Sequence, residues 1–101
     1  MARARTPLLD QIRPQVLELE YPELPADVHE ALARLPHRKA AESLADMLNQ
    51  ARKQAASRPE GPWLRSEVRG RLNYAFTRGD LGPVDYATLS AYVTSLAEEP
   101  A

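Results

Sequence analysis

Apolar positions recur at intervals of three and four along most of the chain, and prolines cut that rhythm into pieces. Such spacing lines up one side of a helix, because a turn takes 3.6 residues. Proline is favoured in a first helical turn and disfavoured in a helix interior. Leu9, Ile12, Val16 and Leu19 make the first stripe, opened by Thr6 as N-cap and Pro7 in the first turn. Pro14 falls inside it, so this first helix is expected to kink or break there. Residues 20–25, EYPELP, are too rich in proline to continue as helix.

A second helix is expected over ADVHEALARL, with Val28, Ala31, Leu32 and Leu35 on one side. Pro36 should stop it, since the residue before a proline is pushed out of the α region. The third and longest spans HRKAAESLADMLNQARKQAA. Ala41, Leu44, Leu48, Ala51 and Ala55 form a narrow seam that lets a neighbouring helix come close. The composition of SRPEGP then marks a loop. The fourth helix runs from about Pro62 to Arg78 on Leu64, Val68, Leu72, Ala75 and Phe76. The fifth begins near Pro83 on Tyr86, Leu89, Val93 and Leu96.

No segment alternates with period two, so the fold class is all-α. The expectation is a small bundle of four to five helices, with helices four and five as a C-terminal hairpin. A single domain over 1–101 is expected, with 1–5 and 97–101 frayed. The expected core is Ile12, Val16, Val28, Leu32, Leu44, Leu48, Leu64, Val68, Leu72, Phe76, Leu89, Val93 and Leu96.

Arg78-Gly79-Asp80 spells a tripeptide known as a cell-adhesion signal. Each of its residues has a local job instead. Gly79 directly follows the last periodic residue of helix four, where a left-handed C-cap calls for glycine. Arg78 suits the negative end of the helix dipole, and Leu81 can fold back as the apolar partner of the cap. The tripeptide reads as punctuation. Through Leu72, Gly79, Leu81, Tyr86 and Leu89 the hairpin resembles the short helix–glycine–turn–helix modules called SHOCT domains. The likeness covers under a quarter of the chain and implies a tight helical hairpin, with no function attached.

Composition adds limits. The 101 residues include no cysteine, which removes disulfides and thiolate ligands. No apolar run approaches the roughly 20 residues of a membrane span, and no secretory signal follows the basic start. A cytoplasmic protein is expected. The net charge is only −1, but it is segregated. Residues 34–78 hold ten basic and four acidic side chains, a net of +6, whereas residues 10–30 carry a net of −5. That layout suits either a nucleic-acid surface or acidic segments lying against a basic middle, and the second is favoured.

Candidate chemistry is sparse. His29 and His37 are separated by a proline break and lack the spacing of a helical zinc pair, and His29 is expected to face solvent. Glu42 and Asp46 share a helix face with no Glu-x-x-His beside them. The serines lack a nucleophile-elbow context, and no glycine-rich loop is present to cradle phosphate. No catalytic residue, metal or cofactor is expected, and neither is an enzyme. Glu67 and Arg71 are spaced for an i, i+4 ion pair. A helix-turn-helix from helices two and three would present Arg38 and Lys39, but the connection has no turn glycine.

Helix four carries a second stripe. At about 100° per residue, Trp63, Glu67, Gly70 and Tyr74 fall together on an arc away from Leu64, Val68 and Leu72. A mid-helix glycine costs about 1 kcal/mol against alanine, so Gly70 suggests close approach of another helix from this chain or a second copy. The competing reading makes helix four central, with both stripes in the core. Trp63, Gly70 and Tyr74 are the expected interface of a non-enzymatic protein–protein interaction module, expected to pair with itself as a homodimer. The alternative is a nucleic-acid-binding protein that uses Arg52, Lys53, Arg58, Arg65 and Arg69.

Overall fold

A computed structural model describes residues 11–97. Five helices occur among them and no strand: α1 Pro14–Glu20, α2 Ala26–Ala33, α3 Arg38–Lys53, α4 Glu60–Arg78 and α5 Pro83–Ala97. The fold is all-α, a small helical bundle, as the periodicity predicts. The expected helix start at Thr6 and Pro7, and the frayed ends apart from Ala97, lie outside the described residues.

Pro14 does more than kink the first helix. It opens α1 at the first-turn position, where its missing N–H loses nothing. The helical phase is therefore set afresh at Pro14. Leu17 takes the fully buried position, Val16 is half-buried, and Leu19 is 82% exposed instead of facing the core. At the far end of α2 the helix closes two residues earlier than its apolar pattern. Arg34 N–H and Leu35 N–H donate to Ala31 O and Leu32 O, tight turns that precede Pro36. Leu35 is buried all the same.

The helix α4 starts at Glu60, two residues before the expected Pro62. Ser57 Oγ donates to Glu60 Oε1 at 3.0 Å, and Gly61 N–H donates to Ser57 O at 2.9 Å. Pro62 is tolerated within the first turn because N–H groups there have no intrahelical acceptor. The turn 54–56 that ends α3 packs directly on this start. A Cβ on Gly61 would stand 2.7 Å from Gln54 O and 2.8 Å from Ala55 O.

The other end of α4 closes as the sequence indicates. Gly79 has a φ of 86°, its N–H donates to Phe76 O, and Asp80 N–H donates to Ala75 O at 2.9 Å. Leu81 folds back and is buried. Arg78 also reaches Asp80 at 3.4 Å, so all three residues of the tripeptide are used at the turn.

Packing leaves α4 at the margin: α2, α3 and α5 each lie against three other helices, whereas α4 packs mainly on α3 and α5. Leu89, Val93 and Leu96 of α5 meet Val68 and Leu72 of α4, Leu44 and Leu48 of α3, and Val28 and Leu32 of α2 in one apolar cluster. Two expected core residues fall at its edge: Leu64 and Val16 are only partly buried. Phe76 leaves it, being 42% exposed. It stands about 40° beyond Leu72 around α4. There its ring stacks on Tyr86 of α5, with centroids 4.6 Å apart.

His29 corrects another expectation. It is buried on α2, not turned to solvent, and its Nε2 donates to Tyr21 O at 2.8 Å. That bond ties α2 to the end of α1, where Tyr21 N–H caps Leu17 O. Across the bundle, Arg34 at the end of α2 pairs with Asp85 in the first turn of α5 at 2.6 Å.

Candidate functional site

The outer side of α4 is the feature that the fold leaves open. Gly61, Val68 and Leu72 point into the bundle and are buried, and the arc opposite them carries Trp63, Gly70 and Tyr74. Trp63 is 60% exposed and Tyr74 64% exposed. Among the described residues a Cβ on Gly70 would meet nothing within 4 Å, so none of the five helices approaches there. The reading that makes both stripes of α4 core is thereby overturned, because α4 lies at the margin of the bundle. The close-approach glycine of this fold is Gly61, which serves the turn before α4.

Between the two aromatic rings lies a shallow depression of about 430 Å³, lined by Trp63, Ser66, Glu67, Gly70, Arg71 and Tyr74. The missing side chain at Gly70 makes its floor. Tyr74 is held from below: Arg78 donates to its hydroxyl at 3.3 Å, and the Arg78 guanidinium lies 5.5 Å from the ring centroid. The hydrogen bond to Tyr74, more than the nearby Asp80, holds the Arg78 guanidinium above its ordinary pKa. Tyr74 and Arg71 also form one wall of a second depression, of about 280 Å³, between α3 and α4. Leu35, Leu44 and Ala75 line it, with Arg78 and His37 at the rim.

Glu67 and Arg71 do not form the expected pair. Three ion pairs occur among the described residues: Arg34–Asp85, Arg38–Glu42 and Arg78–Asp80. Two of them join the basic middle of the chain to the acidic segment after Gly79. None involves the acids of α1.

The candidate nucleic-acid residues gather at one end of the bundle. Arg52 donates to Asn49 Oδ1 at 3.1 Å, Arg65 to Ala55 O at 3.4 Å, and Arg69 to Thr94 Oγ1 at 3.3 Å. Arg52 and Lys53 border a depression of about 460 Å³ with Glu23, Tyr92 and Ser95. Arg58 is exposed in the loop before α4. None of these five cations has a carboxylate partner among the described residues. Three are nevertheless fastened to neutral groups of their own chain.

Elsewhere the chemistry is thin. Burial, with Asp46, Glu20 and Glu42 behind it, raises the Tyr21 phenol above its usual 10.0. Among the described residues no three of His, Asp and Glu stand together as metal ligands, and no helix is long and apolar enough to cross a membrane. No protein-family model, curated protein or solved structure matches the chain.

Proposed function

We propose that this protein is a non-enzymatic interaction module that docks through the outer face of α4, with a second copy of itself as partner. The observation that carries the reading is the pair of large aromatic rings, Trp63 and Tyr74, left uncovered on the side of α4 away from the core. Such rings bury 150–250 Å² each when covered, and they are favoured at the centre of protein interfaces. The alanine-sized gap at Gly70 gives the face a concave middle. Tyr74→Arg places a charge in that face without touching the buried side of α4. It is expected to convert a dimer to a monomer at micromolar protein, measured as solution mass by light scattering. An unchanged dimer mass would sink the reading.

A second reading has its own support. Arg52, Lys53, Arg58, Arg65 and Arg69 meet no carboxylate among the described residues. A cationic bundle end of this kind can take up phosphates. The expected result is binding to DNA or RNA that weakens steeply as salt rises. Titration of labelled duplex and single strands at about 50 mM salt tests it, because phosphate contacts are strong at low ionic strength. No binding there removes the reading.

A further inference from the structure

The aromatic face of α4 also specifies how a second copy would lie on it, and this inference rests on the docking reading above. Trp63, Glu67, Gly70, Tyr74 and Thr77 follow one another at steps of four and three along α4, the seam spacing of paired helices. Glu67 and Arg71 carry opposite charges beside that seam, both exposed, and they leave their own i, i+4 pair unmade. No described residue stands within 4 Å of a Cβ placed on Gly70.

We infer that two copies pair antiparallel along α4, with Glu67 of each meeting Arg71 of the other. A two-fold axis between positions 68 and 69 brings Trp63 beside Tyr74 of the second copy, so each exposed ring covers the other. It also sets Glu67 opposite Gly70 of the second copy, one residue from Arg71, where the absent side chain leaves room for a carboxylate. The contact is isologous, so both the ring pair and the charge pair form twice. Parallel helices would instead face Glu67 with Glu67 and Arg71 with Arg71, and like charges across a contact disfavour it.

Sedimentation equilibrium of the full chain, from micromolar protein upward, tests the pairing with Glu67→Arg, Arg71→Glu and the double variant. Both residues are exposed, Arg71 on the flank of α4 that turns toward α3, and circular dichroism checks that each variant keeps its helices. Each single change should raise the dimer Kd roughly tenfold or more, since like charges then face one another. The double variant should return near the wild-type Kd, because the same attraction is remade with its signs exchanged. Weakening by both singles without recovery in the double overturns the inference. Singles without effect, in a protein that Tyr74→Arg does dissociate, also overturn it while leaving the docking reading intact. A wild-type chain that stays monomeric throughout overturns both.

The direction of pairing is read separately, and the cysteine-free chain makes this simple. Gly70→Cys lies near the axis and, at protein concentrations high enough to offset the weaker seating of a side chain there, should give a disulfide-linked dimer on oxidation. Thr77→Cys should not, because antiparallel order separates the two positions by about 25 Å along the helices. Linking of Thr77→Cys as readily as Gly70→Cys overturns the antiparallel order.

Discussion

Gly61→Ala is expected to destabilise the folded chain by about 2 kcal/mol, read as a fall in the urea midpoint at unchanged slope. The new methyl would stand 2.7 and 2.8 Å from the carbonyl oxygens of Gln54 and Ala55. Real Cβ atoms do not come that close to backbone, and a carbonyl in a packed turn cannot rotate aside as a lysine tip could. The turn after α3 and the first turn of α4 must therefore part, loosening the corner where Ser57 and Glu60 meet. Gly70→Ala is the matched control on the same helix. It meets nothing within 4 Å, so the isolated chain should gain up to about 1 kcal/mol from better helix propensity. In a pair of chains seated on this face the same methyl fills space that the second copy uses. Stability of the monomer and affinity of the dimer should then move in opposite directions. A stable, fully folded Gly61→Ala would show that the corner between α3 and α4 is not packed as described.

The second large effect is expected at His29. The residue is 4% exposed, and His29→Ala removes both that packing and the bond to Tyr21 O. A loss of about 2–3 kcal/mol is expected from the cavity and the broken bond together. His29→Leu separates the two contributions, because it keeps most of the bulk. Tyr21 O still accepts Leu24 N–H at 3.1 Å, so it is not left without a donor when the imidazole goes. The Leu variant should accordingly lose only about 1 kcal/mol, the ordinary net worth of a hydrogen bond, and not the larger penalty of an orphaned carbonyl. Chemical denaturation of the two variants side by side checks this. Equal losses for Ala and Leu would mean that packing contributes nothing at this position, contrary to its burial.

Most of the helical layout was legible from spacing, because Val68, Leu72, Leu89 and Val93 sit at the centre of their stripes, where a small error in angle changes nothing. The stop at Gly79 was legible for a different reason: a left-handed residue after a periodic segment has few chemical solutions. The misses lie where spacing carries no information. Leu19 falls on a stripe that runs through Pro14, but a helix starting at that proline has a phase of its own. Phe76 sits at the rim of its stripe, and what it touches depends on where the Tyr86 ring of α5 happens to fall. His29 finds its partner in a backbone carbonyl eight residues upstream, which periodicity cannot encode. Gly61 gives no signal in spacing, because its constraint comes from two carbonyls of the preceding turn. The Ser-x-x-Glu spacing at Ser57 and Glu60 was available as a sign that α4 begins before Pro62. The outer stripe of α4 was readable as a stripe, whereas its exposure was not. Whether a helix is central or marginal is decided by the other helices.

The exposure of Trp63 has a practical side. It is the sole indole in the chain, and it stands in water while the rest of the molecule is folded. In the monomeric chain its emission will change little on unfolding, so a melting curve followed by intrinsic fluorescence at dilute protein will understate the transition that circular dichroism records. The same ring shifts toward shorter wavelength when something dry covers it. The chain therefore carries an unlabelled optical probe, nearly silent to denaturation and responsive to whatever settles on α4.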